Sequence, residues 1–283
     1  MKTQMNFHSD EYINKELQKH YEEALKYFDE HHIVGIFLQG SQNYGLDVDG
    51  SDIDTKLIVT PTFKEIVRAD NPVSTTHIMD NDEHIDFKDV RLYIKTFLKQ
   101  NPNFLEILFT RYFYINPLYK DLWMQLVEHR EAIARYDIFA NIKAIRGVAL
   151  EKYHSMEHRY PSKVDIIDKY GYDPKQLHHL LRMEGFLENY LKGISYEGCL
   201  IPYNYELLAE IKSGLYGGKL LYSLEEARKV ADESLNHIET LYSNADSKSF
   251  PEKSEYTEEL LFNVQSDIIE RSIINELERK GAL

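Results

Sequence analysis

The sequence predicts an α+β fold, with a mixed β-sheet and its helices first and an α-helical domain after it. Three observations predict this. Short apolar and β-branched runs bounded by glycine, proline or aspartate occur only before about residue 116, and helical spacing fills nearly everything beyond it. A stretch rich in Gly, Ser and Asp, LQGSQNYGLDVDGSDID (38–54), joins the first two of those runs.

Leu17, Tyr21, Leu25 and Phe28 recur at three- and four-residue steps, which makes 11–30 a helix with one apolar stripe. IVGIFLQ (33–39) stops at Gly40 and IDTKLIVT (53–60) at Pro61, so both read as strands. VSTTHIM (73–79) and HIDFK (84–88) flank the turn-prone Asp80, Asn81 and Asp82 and form a hairpin. From Val90 the period turns helical, with Leu92, Tyr93, Phe97 and Leu98 on one face up to the Asn101-Pro102 break; a short helix follows through Leu108. Helices are then expected at 117–131, 137–158, 173–192, 203–212, 223–243 and 254–279, with SNADSKSFPEKSE (243–255) as a polar link. The change of pattern divides the chain into domains at 1–132 and 133–283.

Composition narrows the function. Lys and Arg number 33 against 47 Asp and Glu, a net charge of -14, which repels a polyphosphate and excludes an extended DNA-binding surface. The single cysteine, Cys199, allows neither an internal disulfide nor a cysteine-rich zinc site and fits a reducing, cytoplasmic setting. The opening MKTQMNFHSDEY lacks the apolar core of a signal peptide, and no run approaches the ~20 apolar residues of a membrane span, so no membrane partner is expected.

The aspartates of 38–54 admit three readings. A calcium loop with Gly50 at its sixth position puts Gly45 first and Lys56 twelfth, which removes the first ligand and the bidentate carboxylate. A polar turn accounts for Asp47, Asp49 and Gly50. It leaves Asp52 and Asp54 unexplained, two positions apart at the start of a strand and therefore on one face, where paired carboxylates repel unless a cation joins them. Asp86 in HIDFKDV supplies a third carboxylate on a neighbouring strand, and three of them can hold two Mg²⁺ ions about 3.5 to 4 Å apart for in-line phosphoryl or nucleotidyl transfer. Asp89 is the alternative third ligand, its competing role being the N-cap of the helix at Val90. Gly40 and Ser41 follow the first strand directly, where turn amides and a hydroxyl meet an anion. Tyr44 inside that turn is a candidate for substrate contact or for packing.

As a spaced set, GSQNYG followed by SDID resembles the signature of the DNA polymerase β-like nucleotidyltransferase superfamily. NPNFLEILF and YGYDPKQLHHLLR are similar to motifs of its predicted nucleotidyltransferase branch associated with RNA ligases, and the likeness spans about residues 33–220. The resemblance implies that Asp52, Asp54 and Asp86 bind Mg²⁺, or Mn²⁺ in its place, while Gly40 and Ser41 hold the NTP phosphates. In the second domain, Lys175, His179 and Arg182 fall at four- and three-residue steps on one helix face and match a Lys-x-x-x-His-x-x-Arg helix of that branch. Charge and geometry suit that face to a triphosphate, the competing reading being a solvated basic face with a satisfied histidine. His178 points off it and is structural. The expected function is transfer of NMP from an NTP to a hydroxyl or phosphate acceptor, such as an RNA end, a protein or a small molecule. The alternative is a non-catalytic nucleotide-binding or sensing module.

Overall fold

A computed structural model describes residues 7–283; the reading of residues 1–6 as free of a signal peptide lies outside them. The fold is α+β. The sheet region runs α1 (Asp10–Ala24), β1 (Ile33–Gln39), β2 (Asp54–Val59), α2 (Phe63–Arg68), β3 (Ser74–Ile78), β4 (His84–Asp89), α3 (Val90–Leu98), α4 (Pro102–Leu105), β5 (Phe113–Ile115), α5 (Lys120–Glu128) and α6 (Arg130–Ala134). Helices follow: α7 (Ile138–Ser155), α8 (Val164–Tyr170), α9 (Pro174–Leu191), α10 (Tyr196–Leu200), α11 (Tyr205–Gly217), α12 (Leu224–Asn244) and α13 (Glu255–Arg279). Among the described residues, no helix is long and apolar enough to cross a membrane.

Two compact units divide the chain discontinuously. One contains His8–Asn43, Asp52–Asp137 and Glu252–Leu283; the other contains Tyr44–Ser51 and Ile138–Pro251. The linear cut at 132/133 lies close to the Asp137/Ile138 division but differs from it at both ends: α13 belongs with the sheet, and the loop 44–51 belongs with the helices.

In the sheet unit the strand order is β3-β4-β2-β1-β5, with β2 and β4 parallel and the other pairs antiparallel. The expected hairpin is β3–β4. The edge strand β5, three residues long, is too short to leave an alternating pattern. One sheet face packs Ile36, Leu57, Val59, Ile85 and Phe87 against Leu17, Tyr21 and Ala24 of α1. On the other face Phe37 meets the fully buried Trp123 of α5 at 4.7 Å between ring centroids, and Phe97 of α3 lies 6.5 Å from the same indole.

Short helices here are specified by their caps rather than by periodicity. Thr62 and Glu65 form a reciprocal capping box that starts α2, and Asp89 accepts from the Arg91 amide to start α3. The returning α13 is fixed by buried polar groups: Ser272 Oγ lies 2.6 Å from Thr60 Oγ1, and Glu276 accepts from the Phe63 amide at 2.7 Å. Burying such groups costs stability unless they are paired, so their pairing specifies where α13 docks.

In the helical unit α9 is the central element, packed by α7, α10, α11 and α12. Asp173 caps it and Pro174 occupies its first turn, where a missing N–H costs nothing. Leu177, Leu180, Phe186 and Leu187 are buried along it.

Candidate active site

Strand register positions the sheet unit's candidate residues. Gln39 pairs with Asp54, which brings the Gly40–Ser41 turn beside the start of β2, and Lys56 pairs with Asp86. Because side chains alternate along a strand, Asp54, Lys56 and Asp86 share the face that carries Phe37. Asp52 is exposed and lies two residues ahead of β2 rather than on it. Its segment is held from the backbone: Gln42 Nε2 donates to Asp52 O at 2.8 Å, and the Ile53 amide donates to Glu83 Oε1 at 3.1 Å. Glu83 also meets His20 Nε2 at 3.0 Å and accepts from Asn81 at 2.7 Å. Burial pushes the Glu83 carboxyl up, but the hydrogen bonds from His20, Asn81 and Ile53 outweigh it and hold the pKa below the usual value.

Each strand aspartate has a basic neighbour. Asp54 Oδ1 accepts from the His84 amide at 3.2 Å and lies 3.3 Å from His84 Nδ1. Asp86 Oδ2 accepts from Lys56 Nζ at 2.9 Å, and the Lys56 side chain is only 5% exposed. Lys56 and Lys88 both set their ammonium groups against Phe104, at 4.5 and 4.2 Å from the ring centroid. Burial lowers the Lys88 pKa, opposed by the nearby Asp86 charge. Asp89 lies three residues from Asp86 and so on the opposite face; Arg91 grips both its oxygens. It acts as the helix cap, which leaves Asp86 as the strand carboxylate beside β2.

The Gly40 turn differs from a bare anion site. Gly40 adopts φ +108°, a left-handed conformation that favours glycine, and its amide donates to Glu106 Oε1 at 2.9 Å. Asn43 Nδ2 donates to the same oxygen at 2.9 Å, and Thr110 Oγ1 donates to Asn43 Oδ1 at 2.6 Å. A buried protein carboxylate thus occupies the amide direction expected for a phosphate. Sequence reasoning missed Lys56, Lys88, Phe104 and Glu106 as site residues, although the NPNFLEILF segment carrying the last two stood out. Removing the Glu106 carboxylate with Glu106→Ala orphans the Gly40 amide and destabilises the unit by about 1–3 kcal/mol. Glu106→Gln, which keeps an accepting oxygen, recovers most of that in urea unfolding; equal losses for both variants would contradict the role given to this bond.

The donor chemistry suits Mg²⁺, since all three candidates are carboxylate oxygens. The arrangement suits a three-carboxylate, two-ion centre poorly, because Lys56 already neutralises Asp86. Among the described residues, the metal-sized cluster of acidic and histidine ligands is elsewhere, at Glu184, Glu188 and His237 in the helical unit.

The remaining candidates, Lys175, His179 and Arg182, lie on α9 of the helical unit. They do not form a solvated basic face: Arg182 is buried with its guanidinium 4.2 Å from the Tyr44 ring centroid, and Lys175 and His179 are half-buried. Desolvation, then the positive charges around it, holds the His179 pKa well below its ordinary value, so the imidazole is neutral. Tyr44 is a packing residue within this unit. Lys212 Nζ donates to Leu46 O at 3.0 Å; Asp47 is buried, unlike a residue of a solvated loop, whereas Asp49 and Gly50 form an exposed turn as the polar-turn reading has it.

His178 is structural, as expected: its Nδ1–H donates to Leu208 O at 2.9 Å, and burial lowers its pKa to about 3. The folded unit keeps His178 neutral while the unfolded chain protonates it below about 6.5. The stability that His178 contributes is therefore complete above pH 6.5 and declines as pH falls towards 3. Urea unfolding of wild type and His178→Gln across that range checks this, the variant having the shallower decline.

No protein-family model and no curated protein matches the chain. Among solved structures, a nucleotidyltransferase-like protein from Exiguobacterium sibiricum 255-15 is similar at 14% identity and a TM-score of 0.32, over 95% of this chain and 92% of that one. At that score the likeness carries no argument about chemistry.

Proposed function

We propose that the chain is a divalent-ion-dependent nucleotidyltransferase that moves NMP from an NTP to a hydroxyl or phosphate acceptor and releases pyrophosphate. The observation that carries this reading is the pair of registers Gln39↔Asp54 and Lys56↔Asp86, which gathers the Gly-Ser turn and two strand carboxylates at one end of one sheet. Asp52 and Asp54 are the carboxylates that would hold Mg²⁺ or Mn²⁺, with Asp86 beside them. When bound, such an ion polarises the phosphoryl oxygens and offsets the charge that develops on them.

The chain's own residues do the remaining work. Glu83 fixes the Asp52–Asp54 backbone through the Ile53 amide, and Glu106 fixes the turn at Gly40. Ser41 offers a hydroxyl to the donor's phosphates. Within the helical unit, and as a separate proposal, Lys175 and Arg182 are the cations of α9 suited to an anion, and His179, held neutral, offers a hydrogen bond rather than charge. An RNA end is the acceptor class that fits the motifs, and the net charge of -14 argues for a small footprint on it. A cytoplasmic setting belongs to the same proposal.

A second reading has a specific observation behind it: Glu106 in the turn and Lys56 on Asp86 also suit a module that binds nucleotide without turnover. Calorimetry with NTP and Mg²⁺, followed by an assay for pyrophosphate over prolonged incubation with mixed acceptors, separates the two. Pyrophosphate release supports transfer, and tight binding with intact nucleotide supports the module.

A further inference from the structure

We propose that Glu184, Glu188 and His237 form a binding site for one first-row divalent transition ion, zinc above all, that joins α9 to α12 inside the helical unit. Glu184 and Glu188 stand four residues apart on α9 and so on one face, where like charges repel unless a cation lies between them. His237 of α12 meets both: its Nδ1 lies 2.8 Å from Glu184 Oε1 and 3.5 Å from Glu188 Oε1. All three ligand atoms lie within 4.8 Å of one another. Around a tetrahedral ion with bonds of about 2.0–2.2 Å, neighbouring ligand atoms stand about 3.4 Å apart, so small side-chain rotations close this set on a metal.

A second observation is a hydroxyl beside the cluster. Ser234 is 3% exposed, and its Oγ has no hydrogen-bond partner among the described residues, a costly state for a buried polar group. At ~100° per residue it lies about 60° around α12 from His237. The far flank of α12 faces α7, through Tyr153 on Asp232 and Arg146 on Glu239, which leaves Ser234 on the α9 side with His237. A water that completes the ion's coordination gives this oxygen its partner. Mixed imidazole and carboxylate donors favour zinc and its first-row neighbours over Mg²⁺ or Ca²⁺, which take oxygen ligands. The side chains of Glu184 and Glu188 are 19% and 20% exposed and that of His237 40%, so an ion can enter with its waters. Competition for Glu188 comes from mobile surface groups: Lys192 Nζ, on a side chain 65% exposed, lies 3.5 Å from its Oε2, and the exposed Tyr203 donates to its carboxylate. A protonated His237 paired with the two glutamates is the arrangement that needs no metal.

Equilibrium dialysis with Zn²⁺ and visible spectroscopy with Co²⁺ separate the two, on the full chain carrying Asp52→Asn and Asp54→Asn so that the other carboxylate pair is removed. The expected result is one ion per chain, with a Co²⁺ band that Zn²⁺ abolishes. Affinity falls by more than about a hundredfold in His237→Ala and in Glu188→Gln and by about tenfold in Ser234→Ala, and it is kept in Lys192→Met. No ion bound by the parent at micromolar Zn²⁺, or full affinity in a folded His237→Ala or Glu188→Gln, overturns the inference. Should those variants fail to fold, as judged by circular dichroism, X-ray absorption at the zinc edge of the parent decides: an imidazole in the shell supports the site, and a shell of oxygens alone overturns it. None of these outcomes alters the nucleotidyltransferase reading.

Discussion

Asp52→Asn combined with Asp54→Asn reduces nucleotidyl transfer by about a thousandfold or more while leaving the fold intact. The size follows from the several kcal/mol of transition-state charge stabilisation that a divalent ion supplies. Asparagine keeps the shape of each side chain but removes the charge that holds the ion. The fold survives because Asp52 is exposed, the Asp54 side chain is 39% exposed, the Ile53 amide and the Asp52 carbonyl also hold the segment, and an asparagine oxygen at 54 can still accept from the His84 amide. Circular dichroism and urea midpoints close to wild type, together with lost transfer, are the expected pair of results. A variant that folds and still transfers removes the aspartates from the chemistry.

The largest stability effect is expected at Trp123, the chain's single tryptophan. Its indole is fully buried between Phe37 of the sheet and Phe97 of α3, so Trp123→Ala removes a large apolar surface and leaves a cavity. The expected loss is about 3–5 kcal/mol, with Trp123→Phe losing distinctly less because much of the volume stays filled. Urea unfolding followed by circular dichroism measures both, and a loss under about 1 kcal/mol for the alanine variant would mean that this face of the sheet is not the packed core described here.

The chain pattern exposes much of this architecture because its signals are local. β1 and β2 are bounded by Gly40 and Pro61, and the two-residue period that puts Asp54 and Lys56 on one face needs no knowledge of the partner strand. Asp86 is reachable the same way. What ties it to Lys56 is the parallel register of β2 and β4, a long-range pairing that spacing alone does not give. Glu106 and Phe104 reach the site only through the packing of their helical segment, so their motif was visible but their contacts were not.

The loop 44–51 escaped for a different reason. Its aspartates and glycines are those of an exposed turn, yet Tyr44, Leu46 and Asp47 are buried within the helical unit, where composition is only a correlate of exposure. The return of α13 to the sheet depends on Thr60, Ser272 and Glu276, which are distant in sequence and polar, so no hydrophobic pattern announces it.

The most direct measurement of the central claim is mass spectrometry of a mixed acceptor pool of RNA ends, proteins and small molecules after incubation with isotope-labelled NTPs and Mg²⁺. The account predicts a labelled NMP adduct on one acceptor class, with matching pyrophosphate, from the wild-type chain and none from the double asparagine variant. An adduct that persists in that variant, or NTP left intact by the wild type across the whole pool, would contradict it.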